Sequence, residues 1–134
     1  MPHLDRTRVV VLGAETEHGE RVATDLAKAG AVLAFVSSKS DSASAFAVQR
    51  LARRLGALSQ AIDATNEAAV RVMLRQLSKD MGGVDAAVCC TEDAVARELF
   101  ERHARREMKR SGEGVFVDAT VTPDVVAAVA GGGE

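Results

Sequence analysis

Two kinds of apolar segment alternate along the chain. Short, largely β-branched runs stand at Arg8–Leu12, Ala31–Val36, Leu58–Ile62, Val84–Cys89 and Val115–Asp118. Between them apolar residues recur at helical spacing. Val22, Leu26 and Ala29 form one such stripe, and Ala45, Val48, Ala52 and Leu55 a second. Val70, Met73, Leu77 and Met81 form a third, and Ala96, Phe100, Ala104 and Met108 a fourth. The continuous runs predict strands covered on both faces; the stripes predict helices with one buried side. Gly30, Gly56 and Gly82-Gly83 fall where a left-handed residue ends a helix. Asp41 or Ser42, and Thr65, stand at N-cap positions, and Glu67 makes the turn after Thr65 acidic. Strands that each lead into a helix predict a parallel sheet between two helical layers.

Composition narrows this picture without changing it. A chain of 134 residues is one domain, spanning 1–134, with 1–7 and 131–134 expected to fray. Its 47% hydrophobic and 27% charged residues fit a globular protein, and a net charge of −2 gives no basic footprint for nucleic acid. No apolar run reaches the ~18 residues of a membrane span, and "MPHLDRTRVV" has no apolar signal-peptide core. Cys89 and Cys90 are adjacent and poorly placed to bridge each other, so free thiols in the cytoplasm are expected. His3, His18 and His103 are scattered and show no metal-ligand spacing.

Three fragments, in order, carry a family resemblance. "LGAETEHG" places Gly13 and Gly19 at the first and last glycines of a Thr-Gly-x-x-x-Gly-x-Gly turn, with Leu12 and Glu17 replacing the Thr and the middle Gly. "IDATNEAAVRVMLRQLSKDMGGVDAAVCC" has the spacing of a strand, an Asp-x-Thr turn, a helix, Gly-Gly-x-Asp and an Asn-Asn-Ala-Gly strand end. There Asp63 matches an adenine-contacting Asp, while Cys89 and Cys90 replace the two Asn. "MKRSGEGVFVDAT" is similar to a fifth strand that delivers a catalytic Ser. From about Arg8 to Val121 the chain thus resembles the short-chain dehydrogenases/reductases. With the right-handed crossover rule, the resemblance implies a minimal Rossmann-type three-layer α/β domain of about five parallel strands in order 3-2-1-4-5.

The chemistry of that family is missing. It needs a Tyr to pass a proton, a Lys four residues later and a Ser to orient the carbonyl. This chain has no Tyr, its last Lys is Lys109 before the fifth strand, and the Ser position falls at Val121, or at Thr120 if the register slips. Its only Asn is Asn66, so the helix Asn of the family's proton relay is absent too. The span from Cys90 to the fifth strand is shorter than the family's, and the chain stops soon after "TPDVVAAVAGGGE". The resemblance therefore implies a truncated relative without family-type catalysis and no catalytic residues.

Binding is the open question. Gly13 and Gly19 suit close approach of backbone N–H groups to a pyrophosphate. Glu17, at the middle position, puts a carboxylate where that backbone is normally bare. At about 5 Å from a phosphate and an effective dielectric of ~20, it costs roughly 3 kcal/mol. Glu17→Gly is then expected to strengthen binding. Acids at a helix start also stabilise the helix with no anion bound, in which case Glu15 or Glu17 takes the anion's place. Ser37, Ser38 and Lys39 resemble the strand end of NADP-preferring members, and Asp63 the adenine contact; each residue also reads as ordinary loop chemistry. Cys89, with Cys90, lies at the end of the fourth strand, where a thiol is either reactive or inert and buried.

The fourth helix sets its apolar stripe against Arg97, Glu101, Arg102, Arg105, Arg106 and Lys109, which reads as a solvated face or as an interface. The leading functional expectation is a catalytically incompetent assembly or regulatory subunit. It would pair with itself or with a full-length relative, without nucleic acid or membrane. A residual NADP(H)-binding module or sensor is the first alternative. An oxidoreductase completed by a partner chain, or working through Cys90 or Thr120, is the second.

Overall fold

The computed structural model describes residues 3–131. Its elements run β1 (Arg8–Leu12), α1 (Glu17–Lys28), β2 (Val32–Ser37), α2 (Ser42–Leu55), β3 (Leu58–Ala61), α3 (Glu67–Met81), β4 (Ala86–Cys89), α4 (Ala94–Ser111), β5 (Val115–Asp118) and α5 (Val125–Ala130). The strands form one parallel sheet in the order β3-β2-β1-β4-β5. This is the minimal Rossmann-type α/β fold that the sequence predicts.

Both faces of the sheet are buried at β1, β2 and β4, while the edge strand β3, expected to be covered on both faces, is largely exposed; β1 shows why its sequence is continuously apolar. Val9 and Val11 point into a core shared with α1, α2 and α5, where Leu26, Phe35 and Val48 pack. Val10 and Leu12 point into a second core under α3 and α4, built on Met73, Leu74 and Phe100. Alternation along a strand sends successive side chains to opposite faces, so a central strand must be apolar at every position. The opposite ends of the sheet are pinned differently. At the start of β1, the Arg8 guanidinium and backbone N–H hold Asp85 at 2.8–2.9 Å, and the Arg8 side chain also donates to the Gly82 carbonyl. The carboxyl ends of the strands carry the glycine turn and the loops of the site.

Several boundaries differ from expectation. Residues 3–7 are tied down, not frayed: Leu4 is buried, its N–H donates to Ala29 O at 2.8 Å, and Thr7 O accepts from Val32 N at 2.8 Å. Residues 132–134 of the expected frayed end, with residues 1–2, lie outside the described residues. The α3 N-cap is Asn66, whose side chain accepts from Ala69 N at 3.0 Å. Thr65 stands one residue ahead of that position, in a turn where its hydroxyl and N–H both donate to Asp63. The short α5, capped by Asp124, is an element the helical spacing had not disclosed. On α4 the apolar stripe is buried as expected, and His103 and Glu107 are buried with it. The charged side stays exposed and laced by ion pairs, Arg102 with Glu98 and Glu67, Arg105 with Glu101.

Candidate functional site

The site begins where β1 meets α1. Gly13 has φ +86°, and a Cβ there would stand 3.0 Å from the backbone of Cys90 and Thr91. A side chain at that position would thus push the end of β4 away. Gly19 has ordinary helical φ but no space: its Cβ would lie 2.1 Å from Gly13 O and 2.9 Å from Ala14 Cα. The two glycines therefore let the first turn of α1 rest directly on the strand–helix turn. Thr16 closes the arrangement, donating its hydroxyl to Gly13 O and accepting from Gly19 N, both at 2.9 Å. The N–H groups of Glu17 and His18, ahead of Gly19 in the first turn, have no intrahelical acceptor and face outward along the helix axis.

Beyond this turn a crevice of about 690 Å³ opens along the carboxyl edge of the sheet, lined by Glu15, His18, Ser38, Lys39, Cys90, Thr91 and Thr120 among others. A second hollow of about 360 Å³ shares Ser38, Lys39, Thr91 and Asp93 with it and reaches Asp63. Ser38 and Lys39 line both hollows, Asp63 the second, and Gly13 abuts Cys90 and Thr91 of the crevice wall. Three expectations change.

Glu17 is not in the cradle. Its side chain is 91% exposed and pairs with Arg21 at 3.2 Å, one turn along α1. As the first helical residue it is directed outward, and Glu15, still in the turn, is directed across to β2. Glu15 accepts from Ser38 N at 3.0 Å and from the Ser38 hydroxyl. Ser37 is fully buried, its hydroxyl donating to Lys39 O at 2.7 Å. The serine hydroxyls behind the 2′-phosphate expectation are therefore engaged within the chain, while Lys39 lines both hollows. Cys89 is fully buried in the α3–α4 core, and Cys90, buried in the opposite core, borders the crevice.

Both thiols are free and buried. Burial pushes Cys89 up to about 11 and Cys90 to about 12, and the carboxylates of Glu15 and Asp118 push Cys90 in the same direction. A reactive cysteine needs an electropositive setting that favours thiolate, and this one is acidic. Thr120 is equally occupied: its hydroxyl donates to Asp118 at 2.6 Å in a tight turn. Asp63 is held below the usual carboxylate range by the hydrogen bonds from Thr65, hydroxyl first and then N–H.

Sequence reasoning passed over His18. It sits in the first turn of α1 and bonds Ala119 O through Nε2 at 2.9 Å, joining the glycine turn to the end of β5. A carbonyl only accepts, so Nε2 is the donor in this hydrogen bond. No spacing rule signals a contact across 101 residues. Among the described residues no cluster of three His, Cys, Asp or Glu could hold a metal ion, and no helix is long and apolar enough to cross a membrane.

An open parallel sheet with a glycine turn at the β1 switch point defines the Rossmann class of nucleotide-binding folds. Comparison with solved structures specifies it further. A short-chain type dehydrogenase/reductase from Mycobacterium ulcerans superimposes with TM-score 0.73 at 24% identity, covering 85% of this chain and 50% of that one. One from Mycobacterium marinum gives 0.69 at 26% identity, over 86% of this chain and 56% of the other. A hydroxysteroid dehydrogenase from Escherichia coli gives 0.73 at 18%, over 85% and 55%. No protein-family model matches the chain, and no curated protein matches it in sequence. The fold is that of the short-chain dehydrogenases/reductases, and the chain spans about half the length of the solved structures it matches.

Proposed function

We propose that these residues form a nucleotide-binding module of the short-chain dehydrogenase/reductase type that transfers no hydride by itself and serves as a regulatory or assembly subunit in the cytoplasm. One observation carries the reading. The glycine-built crevice is intact in backbone, while the family's tyrosine is absent and the two candidate groups Thr120 and Cys90 are committed or buried. The chain has no tyrosine, the Thr120 hydroxyl is bound to Asp118, and the Cys90 thiol is kept neutral.

The residues present fit a nicotinamide dinucleotide in kind. A crevice of about 690 Å³ is within the ~300–1,000 Å³ usual for small-molecule sites. The tight Gly13–Gly19 contact keeps the turn bare of side-chain bulk. The N–H groups of Glu17 and His18 would face the phosphates, Asp63 the adenine amino group, and the Glu15–Ser38 pair the adenosine ribose. Such a cofactor supplies the hydride when bound; this chain supplies orientation alone. Glu15, Glu92 and Asp93 against the single Lys39 make the crevice acidic, which lowers its affinity for an anionic ligand.

The assembly role draws support from the sheet edge. Val115 N and Ala119 N donate towards β4, so by alternation the N–H groups of Phe116 and Asp118 face away from the sheet on the open side of β5. Pairing with a second copy, or with a full-length relative, would cover them.

Titration of the isotope-labelled chain with NAD(H) and NADP(H), followed by amide shifts, tests the binding reading. Shifts concentrated on Gly13–Gly19 and Ser38 are expected, and none at about 10 mM ligand refutes it. Light scattering, alone and mixed with a full-length relative, tests assembly. A chain that stays monomeric at high concentration and forms no mixed species removes that role.

A further inference from the structure

We propose that the groove between α3 and α4 docks a segment of a partner protein in which one lysine stands between acidic residues. The groove, about 410 Å³, is lined by Val72, Arg75 and Lys79 of α3 and by Glu107 and Arg110 of α4, among others. It shares no lining residue with the crevice, and the inference does not depend on nucleotide binding.

Glu107 carries the argument. It is 7% exposed, yet its carboxylate makes no hydrogen bond or ion pair among the described residues. Neither of its oxygens is sealed in the core, so the group looks out through the groove it lines. His103, one turn earlier on α4, is also buried but meets Glu67 of α3 at 2.9 Å. Burying a carboxylate without a donor is costly. The helix dipole accounts for Lys79 and Arg110 in the last turns of α3 and α4. It does not account for Glu107, an acid one turn from the wrong end of its helix.

The chemistry of the groove specifies its occupant. A carboxylate only accepts, so the occupant must bring a donor, and an ammonium matches its charge. Arg75, Lys79 and Arg110 form no ion pair among the described residues and outnumber Glu107. A bare amine would be repelled by them, and a plain polyanion would face Glu107. A lysine flanked by Asp or Glu brings both signs. Arg75 and Lys79 are one turn apart, about 6 Å, and Arg110 is on a helix about 8–10 Å away. Consecutive side chains of a peptide span that spread; a free amino acid does not. Val72, 61% exposed, offers the segment an apolar contact.

Fluorescence anisotropy with the intact chain and a labelled Ala-Glu-Asp-Lys-Glu-Asp-Ala peptide tests the proposal. Saturable binding with Kd below about 1 mM is expected, weakening with salt. Arg110→Glu should weaken it about tenfold. Arg53→Glu, the same charge change on α2 across the sheet, should alter it less than about twofold. Replacing the peptide's lysine by norleucine should weaken binding to the parent about fivefold, although on net charge alone the more acidic peptide would bind better. In Glu107→Gln that difference should fall below about twofold. Melting curves establish that each variant is folded, and the two peptides on the parent need no variant. A norleucine peptide that binds the parent as well as the lysine peptide overturns the proposal, as do equal losses in Arg110→Glu and Arg53→Glu. Tighter binding of a short oligonucleotide or of free glutamate, or no saturable peptide binding at about 1 mM, overturns it too.

Discussion

Replacing Gly19 by Ala tests the geometry on which the site depends. In an exposed helix the exchange stabilises by about 1 kcal/mol, since Ala is the better helix former. Here the new Cβ would lie 2.1 Å from Gly13 O and 2.9 Å from Ala14 Cα, all backbone. A carbon and a carbonyl oxygen in contact are about 3.3 Å apart, so the overlap exceeds about 1 Å and no side-chain rotation relieves it. α1 must lift off the turn. Overpacking of this kind costs about 3 kcal/mol at the unyielding end of its range. Lifting also stretches the 2.9 Å bond from Gly19 N to Thr16, an N-cap contribution of about 1 kcal/mol. The net loss is about 3 kcal/mol, or about 10 °C in Tm for a chain of this length. Urea denaturation should show the midpoint falling with an unchanged slope. Gly56→Ala is the control: φ is +72° with open space around it, so it should lose only about 1 kcal/mol of conformational origin. A Gly19→Ala chain as stable as the parent, or more stable, refutes the described contact between α1 and the turn.

Other consequences concern charge. Glu17→Gly, expected from sequence to strengthen nucleotide binding, should change affinity less than about twofold in titration, because the side chain is exposed and outside the crevice. It should also cost roughly 1 kcal/mol of stability as a glycine in the first helical turn. Asp85→Asn breaks the fork to Arg8 and should destabilise by about 1–2 kcal/mol at pH 7 in urea titrations. Hydrogen bonds from Arg8 hold the Asp85 carboxyl below its ordinary range. Its contribution is therefore present above the unfolded-state value near ~3.9 and lost as pH falls through the lower folded-state value. The Asn variant should lack that acid-side loss. The thiols behave oppositely. Their ionisation is raised from 9.0 to about 11 and 12, so the unfolded chain ionises first and stability should decline as pH rises above about 9. At neutral pH a disulfide reagent should label Cys89 and Cys90 only as fast as the chain opens, and rapid labelling of the folded chain would contradict their burial.

The sheet was legible because its signals are local. A strand buried on both faces must be apolar throughout, and the bounds of Arg8–Leu12 and Val115–Asp118 are those read from hydrophobicity. Gly56 and Gly82 end α2 and α3 in the left-handed conformation, as glycine at those places predicts. What failed depended on competition between neighbours or on contacts distant in sequence. Thr65 looks like an N-cap, but it turns back to Asp63 and α3 begins one residue later than the pattern suggests, which leaves the task to Asn66. Leu4 looks like a loose end until Ala29 and the core receive it. The α5 segment is six residues long, too short for a helical period to declare itself.

The two acids of the turn show where sequence stops informing on the site. Glu15 and Glu17 are two residues apart, and aligned spacing singles out Glu17 because it replaces a glycine. Their roles are set by a third feature, the beginning of the helix at Glu17. A residue in the first turn points where the helix directs it, here to Arg21 and solvent. A residue just ahead of the N-cap is free to reach across the turn, and Glu15 reaches Ser38, 23 positions on. Removing the Glu17 charge therefore alters an exposed ion pair. Removing the Glu15 charge uncouples β2 from the glycine turn and alters the donors and acceptors that line the crevice.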